Sequence, residues 1–197
     1  NYDRAYHKIG IVYFNLELYE KAIEYYTKAL DINPNKIEAY HGRGIVYHMM
    51  ANHQKGVDDL TKAIQIDNSV EITDSRFLLR ANIYHNRGFM YLHMEQYQNA
   101  LSDFEKAIEL KPDFSEAIGA MGTAFQAQGE LDEAIELYRK AVSIQPNGRN
   151  HYNLAVGLRN KGALDESIEQ YEKSLSFNEQ NPETLTSLGD ALWHKGK

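Results

Sequence analysis

Residues 86–112, NRGFMYLHMEQYQNALSDFEKAIELKP, decide how the whole chain reads. Tyr84 just upstream, Gly88 and Tyr91 recur at the spacing of one helix face. A short polar break follows at Glu95 and Gln96. Ala100, Phe104 and Ala107 then form a second face of the same kind, and Pro112, with no amide to give a helix interior, ends it. The segment reads as a helix–turn–helix hairpin whose small residues let its two helices approach closely.

Copies of this hairpin fill the chain. The small residue of the first helix falls at Gly10, Gly44, Gly88, Gly122, Ala155 and Gly189, at spacings of 34, 44, 34, 33 and 34. The small positions of the second helix are Ala22, Gly56, Ala100, Ala134 and Ser167, then Ala29, Ala63, Ala107, Ala141 and Ser174. Between them stand the bulky Tyr26, Leu60, Phe104, Tyr138 and Tyr171. A lone hairpin leaves one apolar stripe in water, so each copy needs its neighbour. Pro34, Pro112 and Pro146 close hairpins. Asn35 with Glu38, and Asp113 with Glu116, read as capping boxes, and Asn181 before Pro182 as an N-cap.

This pattern resembles the tetratricopeptide repeat (TPR), and the resemblance covers essentially the whole chain. The frames are 3–36, 37–70, 81–114, 115–147 and 148–181, with a first helix only in 182–197. The implied fold is all-α: a right-handed α-solenoid superhelix of antiparallel hairpins in a single array, residues 1–197. Repeat two departs from the pattern, with Asn68 where a closing proline belongs and ten extra residues, 71–80, after it. Asp74 and Ser75 are placed to cap a longer first helix of repeat three, on which Phe77 would continue the stripe of Ala81, Tyr84 and Gly88. A surface loop and a partner contact are the alternatives for this insertion.

Composition narrows the function. The chain has no cysteine, 43% hydrophobic residues and a net charge of −7, of which the first 80 residues carry −1. An acidic surface argues against nucleic acid. No apolar run approaches the roughly 20 residues of a membrane span. The lack of cysteine and of glycosylation acceptors suits a cytoplasmic or other intracellular setting. The chain begins at Asn1 rather than Met, which reads as a segment of a longer protein. Its last helix, with Leu185, Leu188 and Leu192, expects a cover, so self-association through that face is a further expectation.

The resemblance implies that first helices line a concave groove for a protein or peptide. Carried onto this chain, the inward positions include His7 and Ile11 in repeat one, and His41, Ile45 and His48 in repeat two. Repeat three adds Asn82, His85, Asn86 and Phe89. Repeat four is nearly bare, with Gly119, Ala120 and Thr123 leaving a hollow. Repeat five supplies Tyr152, Asn153 and Val156. An apolar strip edged by imidazoles and amides suits an extended or helical peptide, with Asn86 and Asn153 as candidate clamps on its backbone. The carboxylate clamp of chaperone-binding members is missing: from repeat one its positions hold His7, Ile11, Gly42, Asn82 and Asn86. Several imidazoles together also suggest a pH-sensitive groove.

No catalytic motif, cofactor site or metal site is read. Gly42-x-Gly44 lies within a helix, and the histidines lack the spacing and partners of a zinc site. The expectation is a non-catalytic protein–protein interaction scaffold. Two alternatives remain: the recruiting arm of a larger protein-modifying transferase, and a self-assembling structural array.

Overall fold

The computed structural model describes residues 2–67 and 74–196, with side chains in the second segment from Arg76 onward. Among the described residues all regular structure is helical. The helices are α1 (Tyr2–Asn15), α2 (Tyr19–Ile32), α3 (Ile37–Met49), α4 (His53–Asp67), α5 (Asp74–His93) and α6 (Tyr97–Leu110), then α7 (Ser115–Ala127), α8 (Leu131–Ile144), α9 (Gly148–Asn160), α10 (Leu164–Phe177) and α11 (Pro182–Lys195). They fall into two compact units, Asn1–Lys111 and Pro112–Lys197.

In both units the hairpins form where the small residues lie. A Cβ on Gly88 would stand 2.9 Å from Phe104 Cε1 and 3.1 Å from the Ala100 carbonyl oxygen, so only hydrogen fits. The same approach recurs at Gly44 against Leu60 and Gly56, and at Gly122 against Tyr138 and Ala134. The bulky residues between these contacts, Tyr26, Leu60, Phe104, Tyr138 and Tyr171, are all at most 2% exposed. The cores cross from one repeat to the next. Tyr26 packs with Ala39 and Val46, and Leu60 with Ile83 and Met90. Tyr138 packs with Leu154 and Leu158, and Tyr171 with Ala191. Burial is thus completed by the neighbouring hairpin, the condition for a repeat stack.

Polar side chains tie successive hairpins of the first unit in a way the sequence reading did not anticipate. Arg43 on α3 donates from Nε and Nη2 to Asp59 on α4, at 2.7 and 2.8 Å, and from Nη1 to Thr27 on α2 at 2.9 Å. Arg87 on α5 repeats the arrangement with Asp103 on α6 and Thr61 on α4. Asp59 and Asp103 are buried.

Each hairpin turn has one left-handed residue: Glu17, Ala51, Glu95, Gly129 and Gly162, with φ between 57° and 85°. The amide of each donates three residues back, as from Glu17 to Phe14, and the next amide donates five back, as from Leu18 to Tyr13. This is the Schellman arrangement.

Two expected caps are corrected. α3 begins after Lys36 and α7 after Phe114, neither with a side-chain cap, so Asn35–Glu38 and Asp113–Glu116 are not capping boxes. The Asn33 side chain takes the Asn35 amide instead, and buried Phe114 fixes the entry to α7 while Ser115 Oγ donates to Gln145. Asn181 does cap α11 through the Thr184 amide, and Asn147 caps α9 in the same way. Helices α2, α6 and α8 end two residues before Pro34, Pro112 and Pro146.

The extra residues before repeat three lengthen α5 to 20 residues. Its first turns are held by charge. Asp67, at the end of α4 and 2% exposed, accepts from Arg80 Nε and lies 3.7 Å from Arg76 Nη1. Phe77 does not extend the buried stripe. It and Leu78 are exposed, and Leu79 reaches the core instead. Asn68, residues 71–73 and the side chains of Asp74 and Ser75 lie outside the described residues. No helix among the described residues is long and apolar enough to cross a membrane.

Candidate functional site

In the first unit α1 touches α3 and α3 touches α5, while successive second helices make no such contact among the described residues. The first helices therefore lie on the inside of this unit's curve. The second unit has the same order, with α7 touching α9 and α9 touching α11.

The first-unit candidates form two groups. In one, Asn86 Nδ2 on α5 and His41 Nε2 on α3 are 2.9 Å apart, which joins neighbouring first helices. That contact takes one N–H of the Asn86 amide and leaves its other N–H and its Oδ1. Burial first, and His7 second, push the His41 pKa down to about 4. His7 is also held low, by burial and then by Lys36, and its ring stands 5.7 Å from Tyr26. A cleft of about 640 Å³ lies beside it, lined by Arg4, Lys8, Lys36 and Glu38. Ile11 is exposed, and Ile45 and Asn82 are half-buried.

The other group surrounds Phe89. His48 and His93 meet its ring edge-on at 5.6 and 4.8 Å, and His85 tilts against it at 6.3 Å. His53 joins them, with Nδ1 3.1 Å from His48 Nδ1. The sequence reading missed His53 because it opens a second helix and so falls outside the first-helix register. The available signal was its place five residues after His48, across a turn that folds the chain back.

In the second unit several candidates are engaged within the fold. Thr123 Oγ1 donates to the Gly119 carbonyl and accepts from Tyr138 Oη. Tyr152 Oη lies 3.4 Å from Ser187 Oγ, and Val156 packs on the core around Tyr171. The expected hollow of repeat four is not open at its floor. Gly119 and Ala120 are buried, and Asn153 Nδ2 lies 3.8 Å from where a Gly119 Cβ would stand. Tyr152 and Asn153 instead border a cleft of about 470 Å³ with Arg149, Phe177, Asn181 and Thr184. On α11, Leu185, Leu192 and Trp193 are exposed.

Tetratricopeptide repeat models match residues 3–36, 25–58, 79–147 and 113–180. No match was found among curated protein sequences. Among solved structures, the chain is similar to MamA, with 25% identity over 89% of this chain and 97% of that one, at a TM-score of 0.71. It is also similar to the TPR protein TTC0263 of Thermus thermophilus, with 17% identity over 97% and 99% of the two chains and a TM-score of 0.77. YrrB, described as a TPR protein with an unusual peptide-binding site, matches at 22% identity over 92% and 89%, with a TM-score of 0.67. With its hairpins, its small-residue contacts and these matches taken together, the chain belongs to the tetratricopeptide repeat family.

Proposed function

We propose that the chain is a non-catalytic interaction scaffold that holds a peptide or a partner's helix against its first-helix faces. The observation that carries this reading is the composition of the inner face of the first unit. There Ile11, Ile45 and Phe89 keep solvent access beside His7 and His85, an apolar strip with polar edges. Such a surface gives contact area for affinity and hydrogen bonds for register. In the second unit Asn153, half-buried beside the cleft of α9, offers an amide to a peptide backbone. YrrB, whose described feature is a peptide-binding site, shares this fold and lends the reading support.

The test is selection of peptides from a random display library on the intact chain, followed by affinity measurement on variants. Phe89→Ala and Ile11→Ala are expected to weaken a peptide held on the first unit, and Asn153→Ala one held on the second, each about tenfold, the effect of losing roughly 1.4 kcal/mol of contact. Glu24→Ala, on an exposed face where Glu24 pairs only with Lys28, is expected to leave it unchanged. Equal affinity across all four variants would overturn the groove reading.

A further inference from the structure

Three histidines on three helices meet at one end of the first unit. His48 lies in the last turn of α3, His53 opens α4 and His93 closes α5. Their ring centroids are 4.9, 5.1 and 5.2 Å apart, and Phe89 packs edge-on against two of them. The scaffold proposal draws on Phe89 as contact surface but gives the meeting of the three imidazoles no role. We propose that His48, His53 and His93 form an acid-sensitive latch, holding the ends of α3, α4 and α5 together while the facing pair carries at most one proton.

The latch turns on the 3.1 Å contact between His48 Nδ1 and His53 Nδ1. One ring must donate there and the other accept. A first proton on the remaining nitrogen of the donor ring leaves the bond intact. A second places hydrogens on both facing nitrogens and turns the bond into repulsion between two cations. His93, stacked 5.2 Å from His53, adds a third imidazole to the same space.

Among the described residues no counter-charge acts on His48 or His93. Burial is the first cause holding the His48 pKa down to about 4, with His53 and His93 adding to it. His93 is held low by burial and then by His53, and no carboxylate acts on either ring. Several other charged or titratable side chains of these helices are engaged elsewhere. Arg43 binds Asp59, Lys55 stands over Tyr47, Asp58 accepts from Gln54, and His41 pairs with Asn86. His85 lies against Phe89 and Phe104. Helix dipoles favour charge on His48 and His93, which stand at C-terminal ends, so the low values of both are reached against the dipole. Among the described residues no group of three His, Cys, Asp or Glu side chains is arranged to hold a metal ion.

The sign of the pH effect follows. A histidine held low in the fold contributes stability that is present above about pH 6.5 and is lost as pH falls toward about 4. The latch is tested by side-chain NMR titration of the full chain from pH 7.5 to 4, with amide exchange followed at residues 50–53 and 93–96. The pair is expected to titrate in two separated steps, and those amides to lose protection with the lower one. In His53→Gln the facing group stays neutral. His48 is then expected to bind its proton more tightly, burial still holding it below its ordinary value, and the acid-linked opening of the turn to move to lower pH. Independent titration of both rings near their ordinary value, or an unchanged opening in His53→Gln, would overturn the proposal. Should His53→Gln fail to fold, the wild-type titration decides alone. None of these readouts involves a bound peptide.

Discussion

Arg87 is bonded on two sides within the first unit. Its guanidinium satisfies both oxygens of a buried carboxylate and reaches a hydroxyl on the preceding hairpin, so one side chain joins three helices. Burial pushes the Asp103 carboxyl up, and Arg87 works against that rise. Replacing Arg87 with Met strands the carboxylate, which for a buried pair costs roughly 3 kcal/mol. The urea midpoint of Arg87→Met is expected to fall accordingly, and the deficit to shrink toward pH 5 as Asp103 takes up a proton. Arg87→Met with Asp103→Leu is expected to recover most of the loss, because an apolar pair of similar volume leaves no charge behind. A double variant as unstable as the single one would contradict this account. The sequence carried the signal: Thr27, Arg43 and Asp59 recur as Thr61, Arg87 and Asp103. A reading tuned to small and aromatic residues passes over polar side chains that pair only after the hairpins stack.

Among the elements, the hairpin turns are built to one plan with different residues. All five place a left-handed residue at the same point, filled by glycine at 129 and 162 but by Glu17, Ala51 and Glu95 in the first unit. A side chain in that conformation costs roughly 1–2 kcal/mol, partly offset by the entropy a glycine would lose on folding. Ala51 is exposed, so its methyl adds little packing. Ala51→Gly is expected to stabilise by about 0.5–1 kcal/mol. Gly129→Ala, where nothing lies within 4 Å of the added carbon, is expected to cost about 1 kcal/mol through the backbone alone. Urea unfolding of the two variants checks both, and shifts of the same sign would refute the shared turn geometry. These turns also show why helix existence was easier to read than helix ends. Apolar periodicity survives any choice of turn residue, whereas Asn35–Glu38 matches a capping pattern and still does not cap. There the chain enters α3 from Lys36, whose amine is held by Asp3 on α1, a contact no local motif encodes.

On the scale of the chain, what was legible follows what is periodic. The hairpins and their packing residues repeat and could be read from one stretch, whereas the functional face depends on which side chains the fold consumes. Thr123, Tyr152 and Asn86 fall where the repeat pattern leads one to expect an inward face, yet each has spent a polar group on a neighbour. The histidines show the same limit, since His48, His53 and His93 become a cluster only when three helix ends meet. Their placement divides the molecule. His7, His41, His48 and His93, all held low mainly by burial, belong to the unit Asn1–Lys111. Between about pH 6.5 and 4 the unfolded form of that unit binds protons the folded form refuses. Each withheld proton then removes about 1.4 kcal/mol of stability per pH unit. Hydrogen exchange with mass spectrometry, corrected for intrinsic rates, is therefore expected to show helices α1–α5 opening at a higher pH than α7–α10. His41→Gln together with His48→Gln is expected to narrow that gap by removing the two strongest refusals. Loss of protection in both units at one pH, unmoved by the double substitution, would mean that carboxylates and not imidazoles govern the acid limit.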